Sequence, residues 1–158
     1  AEAATLCPSN FAQLTVSEYL RTQPWMDQVK AFRELYRERR DALLTGMEQL
    51  FPKGTSWTVP TGGFYSWVTL PEGIDATAML PRAVSQLVAY VPGTGFYVDG
   101  QGRDSMRLSY CHPTPERISE GVRRLAGVIE SELELIHTFG NAPVHLPPGP
   151  ATPGPDLA

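Results

Sequence analysis

A positively charged side chain is predicted to lie in the middle of a short β-strand. In the stretch DSMRLSY, the alternation of a strand places Arg107 and Ser109 on one face and three apolar side chains on the other. A buried guanidinium is costly unless it has a partner. Arg107 therefore lies on an exposed or salt-bridged face, or it meets an anion. A planar guanidinium is well suited to hold a carboxylate through two parallel hydrogen bonds.

Two glycine-containing segments combine backbone freedom with aromatic residues. The segment VPGTGFY follows a predicted strand but lacks the spacing of a Walker loop or a dinucleotide-binding fingerprint. It is interpreted either as a plain turn or as a loop that brings aromatic rings close to a ligand. The segment TGGFYSW is either a tight corner into a buried strand or a point where Gly62 and Gly63 let a ligand approach the backbone. In the second interpretation Phe64 or Tyr65 forms the wall of the ligand site.

The remaining reactive residue types do not group into a catalytic or metal site. The side chains of Cys111 and His112 would point to opposite sides of a strand, and the three histidines do not cluster with carboxylates. Ser66 and Ser109 lack the sequence context of a nucleophile elbow. We therefore predict no catalytic residue and no metal ligand in this chain.

Composition narrows the class of protein and its partners. The chain has 158 residues, of which 42% are hydrophobic and 19% charged, and its net charge is −4. An acidic balance argues against nucleic-acid binding, and no apolar run approaches the length of a membrane span. Cys7 and Cys111 lie far apart in sequence and lack metal-ligand spacing. Two free thiols in a reducing compartment indicate a cytoplasmic location.

The first third of the chain is predicted to be helical. Apolar residues recur at spacings of three and four from about Asn10 to Phe51, with an interruption at Pro24. Ser9 or Asn10 can cap the start of the first helix. The stretch RELYRERRD in the second helix is interpreted as a solvated outer face and not as a binding patch.

The period then changes to two, which indicates strands. SWTVP, GFYSWVTL and MRLSY are predicted as strands, and LVAYVPG as a short buried strand. Between them Asp75 can cap a helix that runs to Val84, within which Pro81 implies a kink or a later start. A final amphipathic helix is predicted with Thr114 as its cap and Pro115 at its first position.

These elements predict an α+β fold. We expect a two-layer sandwich in which a small sheet has helices packed on one side, preceded by a long helix. Residues 1–140 form the domain. Residues 141–158 are rich in proline and glycine, cannot build a core, and are predicted to be a disordered tail.

Six segments occur in an order that resembles a known family. They are CPSNFAQLTVSEYL, FRELYRERRDALLTGME, PTGGFYSWVTLPEGID, VAYVPGTGFYVDG, MRLSY and PERISEGVRRLAGVI. Their succession resembles the C-terminal portion of class I/II aminotransferases, which are fold-type I pyridoxal-phosphate enzymes. It is most similar to the 2-aminoadipate/kynurenine branch, including the aminotransferase-like domains of bacterial regulators. The resemblance covers about residues 5 to 137.

This resemblance implies roles for named residues and partners. The Arg of the family's corresponding strand binds the α-carboxylate of the amino-acid substrate, and the matching position here is Arg107. Phe64, Tyr65 and Phe96 match substrate-side walls. The intact enzyme is expected to use pyridoxal 5'-phosphate, to take an amino acid and a 2-oxo acid as substrates, and to form a homodimer.

The chain also departs from the family pattern. Its two lysines, Lys30 and Lys53, do not match the S-x-x-K site at which the family's lysine forms a Schiff base with the cofactor. Leu87 stands where the family usually has a glycine. The resemblance therefore implies that an N-terminal cofactor-binding domain is missing and that the chain alone is inactive. Two alternatives are the effector-sensing domain of a transcription regulator and a stand-alone, non-catalytic scaffold.

Overall fold

The computed structural model describes residues 9–139. The predicted tail, 141–158, and Cys7 lie outside the described residues. The helices are α1 (Asn10–Thr22), α2 (Trp25–Leu50), α3 (Ala76–Ser85) and α4 (Pro115–Phe139), and a 3₁₀ turn spans Gly93–Phe96. The strands are β1 (Ser56–Trp57), β2 (Tyr65–Thr69), β3 (Val91–Pro92) and β4 (Ser105–Ser109). Within the described range, no helix is both long enough and apolar enough to cross a membrane.

The predicted sandwich is confirmed. The four strands form one antiparallel sheet in the order β1-β2-β4-β3, so β4 has a neighbour on both sides. The helices α2 and α4 pack against each other, and alternation turns Val68, Met106 and Leu108 toward the helical layer. The buried apolar residues that join the layers include Leu43, Met47, Val68, Leu70, Met79, Met106, Leu108, Tyr110, Leu125 and Ile129. The opposite face of the sheet has no helix over it among these elements.

Short-range capping explains where α1 and α3 begin. The Ser9 hydroxyl accepts a hydrogen bond from the N–H of Ala12 at the start of α1. The Asp75 carboxylate accepts hydrogen bonds from the N–H groups of Thr77 and Ala78 at the start of α3. This cap fixes the first turn at Ala76, and α3 then continues through Pro81. Of the two consequences predicted for Pro81, the later helix start is therefore wrong, and the kink stays a prediction.

The predicted strand in LVAYVPG is mostly wrong. Only Val91 and Pro92 pair with β4, and Val91 is exposed. The buried part of the segment is Tyr90, whose hydroxyl donates a hydrogen bond to the carbonyl of Ala76. The first residues of this segment form no strand because Leu87 and Val88 bond back to the last turn of α3 and not to a neighbouring strand.

The end of α3 is closed by Leu87 in a left-handed conformation. Its φ is +62°, and it is a non-glycine residue with positive φ. The N–H of Leu87 bonds to the carbonyl of Val84, and the N–H of Val88 bonds to the carbonyl of Ala83. These two bonds are those of a Schellman motif, in which the left-handed position is usually glycine. The glycine that the resemblance implies for the family at this position would adopt the left-handed conformation without the cost of a side chain.

Replacing Leu87 by glycine is expected to stabilise the domain by about 0.5–1 kcal/mol. The left-handed conformation costs an L-residue roughly 1–2 kcal/mol, and the greater freedom of glycine in the unfolded chain offsets part of the gain. The Leu87 side chain is 82% exposed, so little packing is lost. Urea unfolding measures the effect, with Leu87→Ala as the control that keeps the backbone cost. A glycine variant no more stable than the alanine variant would contradict the assignment.

Candidate functional site

Arg107 lies at the centre of the uncovered face of the sheet. It is the middle residue of β4 and pairs with Trp67 on β2 and with Val91 on β3. Side chains of directly opposed residues lie on the same face of a sheet. The face that carries Arg107 is therefore the one opposite the helical layer, which is where strand alternation predicted it.

Two aromatic rings lie against the guanidinium of Arg107. Its Cζ is 4.1 Å from the centroid of the Tyr65 ring and 4.7 Å from the centroid of the Phe96 ring. Tyr65 is diagonal to Arg107 across the β2–β4 pair, and Phe96 comes from the 3₁₀ turn after β3. Both rings are within the range of a cation–π interaction. The structure thus brings three of the four predicted site residues together.

The N–H donors of Arg107 have no protein acceptor among the described residues. Its Nε is buried without a hydrogen-bond partner, and no carboxylate of residues 9–139 forms an ion pair with it. Other arginines differ, since Arg21 and Arg37 each contact a carboxylate oxygen at 2.7 Å. Ser109, on the same face, instead contacts the sulfur of Cys111 at 3.1 Å. Chemically, Arg107 is a guanidinium that is held in place and free to bind an anion.

The ring of Phe96 packs against Trp67, which also contacts Tyr97. The Trp67 ring meets the Phe96 ring edge-on at 5.3 Å, and the Tyr97 ring lies 6.2 Å from that of Trp67. Trp67 and Tyr97 were missed as site residues in the sequence. The available signal was the alternation of β2, which places Trp67 on the same face as Tyr65.

A close approach of two backbone segments positions the turn that carries Phe96. A Cβ atom added at Gly93 would lie 2.5 Å from the carbonyl oxygen of Gly102 and 2.9 Å from Cβ of Ser105. Only glycine fits such a contact. Gly93 therefore lets the turn lie directly against the start of β4.

Phe64 lies on the other side of the sheet from Arg107. Its ring packs edge-on against Tyr36 of α2, with centroids 4.8 Å apart. It lines a cleft of about 590 Å³ between α2 and the corner formed by Gly62 and Gly63. The Tyr110 hydroxyl holds this corner by donating a hydrogen bond to the carbonyl of Gly63. The structure does not bring Phe64 together with the other three residues, and its contact with substrate stays a prediction.

Burial adjusts the acidity of this supporting hydroxyl. It raises the pKa of Tyr110 above the ordinary value, because the charged phenolate would lose solvation, while the charge of Arg40 acts in the opposite direction. The Tyr110 hydroxyl therefore stays protonated and remains a hydrogen-bond donor at neutral pH.

The described residues do not fit a covalent pyridoxal-phosphate site. Lys30 lies on α2, in the helical layer, and its Nζ is 2.9 Å from Asp27. Lys53 follows α2 in an exposed turn, and the chain has no other lysine. Neither lysine is on the sheet face of Arg107. Residues 9–139 also contain no group of histidine, cysteine and acidic residues that could hold a metal ion.

Comparison with known proteins shows which family the chain resembles. The family model described as aminotransferase class I and II matches residues 2–125. The chain is 38% identical over 133 residues to aromatic-amino-acid aminotransferase 1 of Thermococcus litoralis, covering 84% of this chain and 32% of that protein. It is 36% identical over 124 residues to 2-aminoadipate transaminase of Thermus thermophilus, covering 78% and 31%.

The fold is also found in solved structures. The multiple substrate aminotransferase of Thermococcus profundus matches with a TM-score of 0.79 and 41% identity, over 84% of this chain and 33% of that one. The chain therefore spans about a third of the length of the relatives that it matches.

Proposed function

Because the chain belongs to the class I and II aminotransferases, in the branch that includes the 2-aminoadipate and kynurenine enzymes, we propose that it supplies the carboxylate-binding half of an amino-transfer site. In this proposal the chain is the C-terminal domain of an enzyme that moves an amino group between an amino acid and a 2-oxo acid. Arg107 binds the α-carboxylate that both substrates share.

The proposal rests on the state of the Arg107 guanidinium. It lies against two aromatic rings and has no acceptor among the described residues, although arginines elsewhere in the chain pair with carboxylates. A planar guanidinium and a carboxylate match through two parallel charge-assisted hydrogen bonds. An anion that binds Arg107 therefore satisfies donors that the protein itself leaves open.

Arg107 also determines how a substrate is oriented. The α-amino or 2-oxo carbon is bonded directly to the carboxylate carbon, so fixing both carboxylate oxygens fixes the reacting carbon about one bond away. Holding a reactant in place in this way supplies part of the rate enhancement of an enzyme. The role of Arg107 is to bind and orient, and no proton transfer is assigned to it.

The cofactor belongs to another part of the intact protein in this proposal. When bound, pyridoxal 5'-phosphate would supply an electron sink for the amino-transfer reaction. The described residues offer no lysine on the sheet face of Arg107 to hold it, and none of their carboxylates forms an ion pair with Arg107. An N-terminal domain outside this chain would provide these groups.

The exposed apolar surface of α1 supports the proposal that a further domain packs against this chain. None of the residues of α1 is buried. Four of them are large apolar residues with exposed fractions between 46% and 80%: Phe11, Leu14, Tyr19 and Leu20. Exposed apolar surface of this extent marks an interaction site. We propose that the cofactor-binding domain outside this chain packs against this surface of α1. We also propose that the intact enzyme is a cytoplasmic homodimer.

The chain by itself is expected to catalyse no amino transfer. It would be incubated with pyridoxal 5'-phosphate, an amino acid and a 2-oxo acid, and the new amino acid measured by mass spectrometry. The rate should equal that of the free cofactor without protein. Turnover clearly above this control would show that the chain holds the cofactor productively and would contradict the division of the site.

Binding of a carboxylate by Arg107 can be tested on the same chain. Pyruvate should perturb the NMR signals of the Arg107 guanidinium as it is titrated, whereas the uncharged amide of pyruvate should not. The absence of a pyruvate-dependent change at Arg107 would contradict the proposed function.

The regulator and scaffold alternatives are not favoured by the comparisons.

A further inference from the structure

We propose that Trp67 is a positioning residue for the carboxylate site, holding the Phe96 ring so that Arg107 stays in one plane. This inference rests on the proposed function of Arg107. It assigns to Trp67 a role that acts through Phe96 and needs no contact with the substrate.

The contacts form a continuous chain from Trp67 to the guanidinium. Trp67 is directly opposite Arg107 in the β2–β4 pair and meets the Phe96 ring edge-on at 5.3 Å. Phe96 in turn lies 4.7 Å from the Cζ of Arg107. Edge-to-face aromatic pairs have a preferred geometry and resist reorientation of either ring. Trp67 therefore restricts where Phe96 can lie.

Phe96 needs such a restraint because its other support is weak. Its side chain is 46% exposed and belongs to a four-residue 3₁₀ turn. Short turns of this kind have poorer hydrogen-bond geometry than α-helices. Without the contact from Trp67, the Phe96 ring beside the guanidinium would be held only by this short, exposed turn.

The hydrophobic core does not explain Trp67. Its neighbours Ser66 and Val68 point into the sandwich and are fully buried, whereas Trp67 points to the uncovered face and is only half-buried. The rings that it meets, Phe96 and Tyr97, are both exposed by more than 40%. Its packing therefore serves the surface around Arg107.

Two rings, one on β2 and one on the 3₁₀ turn, leave the guanidinium of Arg107 little freedom to rotate. Tyr65 at 4.1 Å and Phe96 at 4.7 Å occupy its neighbourhood, so its N–H donors point in defined directions before a ligand arrives. A donor set that is already ordered loses less entropy on binding. The wall built on Trp67 thus raises the affinity for a carboxylate.

The test compares Trp67→Leu with Trp57→Leu in the 158-residue chain. Trp57 is also a half-buried tryptophan of the sheet, but it packs against Phe51 on the helical side, with ring centroids 6.0 Å apart. Two quantities are measured for each variant: the NMR shift of the Arg107 Nε–H without ligand, and the dissociation constant for pyruvate. Trp67→Phe serves as the conservative variant.

We expect Trp67→Leu to move the Arg107 Nε–H signal toward that of an unstacked arginine and to weaken pyruvate binding about two- to tenfold. Trp57→Leu should change neither quantity, and Trp67→Phe should restore part of both. An unchanged Arg107 signal in folded Trp67→Leu, or a signal displaced as far in Trp67→Phe as in Trp67→Leu, would overturn the positioning role. Because that signal is measured without ligand, this result is distinct from a failure of wild-type pyruvate binding, which would overturn the proposed function.

Discussion

Replacing Arg107 by alanine in the full-length protein is expected to lower kcat/KM for amino transfer by at least about a hundredfold. Hydrogen bonds to charged groups contribute about 1.5–3 kcal/mol each, and a carboxylate on Arg107 would make two. A loss of about 3 kcal/mol corresponds to roughly two orders of magnitude. The effect should fall mainly on KM, because the same contact is made by the bound substrate.

The control is another arginine near the same strand. Arg103 is exposed and its closest carboxylate contact, to Asp75, is 3.7 Å. Arg103→Ala should leave kcat/KM within about threefold of the wild type, since exposed ion pairs contribute little. The visible absorbance of the bound cofactor should persist in both variants. Unchanged kinetics in Arg107→Ala would remove Arg107 from the substrate site.

Replacing Gly93 by alanine is expected to destabilise the domain by about 2–3 kcal/mol and to displace Phe96. The added Cβ would meet the Gly102 carbonyl at 2.5 Å, a distance that real Cβ atoms do not tolerate. The Gly102 carbonyl oxygen is a backbone atom, so the turn has to move away from it, which is costly in a packed structure. Urea unfolding gives the stability, and pyruvate titration should show weaker binding.

Gly95 provides a matched control within the same turn. A Cβ added there meets nothing within 4 Å. Gly95→Ala should therefore change the stability by no more than about 0.5 kcal/mol, as is usual for surface substitutions. Equal effects at Gly93 and Gly95 would show that the close backbone contact does not hold the turn in place.

The helical layer and the face of Arg107 could be predicted because both depend on local periodicity. The spacing of apolar residues in α2 and α4 follows the helical repeat, and the alternation around Arg107 follows the strand repeat. The cap at Asp75 was equally local. In these elements the residues that determine the structure are a few positions apart in sequence.

The segment from Leu87 to Phe96 could not be predicted in the same way. Its conformation depends on a left-handed residue of a type that rarely adopts one, and on a backbone contact between Gly93 and Gly102. Neither leaves a periodic pattern. The contact of Trp67 with Phe96 joins residues 29 positions apart, so alternation indicated the face of Trp67 but not its neighbour.

The placement of Phe64 shows the limit of a resemblance. Phe64 and Tyr65 are adjacent, and a strand sends adjacent side chains to opposite faces. Only Tyr65 lies against Arg107, while Phe64 packs on Tyr36 of α2. Matching the segment as a whole could not separate the two residues, whereas the geometry of the strand does.

The most direct test of the carboxylate site is a crystal structure of the full-length protein with a bound 2-oxo acid. We predict that both carboxylate oxygens lie about 2.7–2.9 Å from nitrogens of the Arg107 guanidinium, with the Tyr65 and Phe96 rings still against it. A 2-oxo acid bound in the cofactor site with its carboxylate on another residue, and Arg107 out of hydrogen-bond reach, would contradict the proposed function.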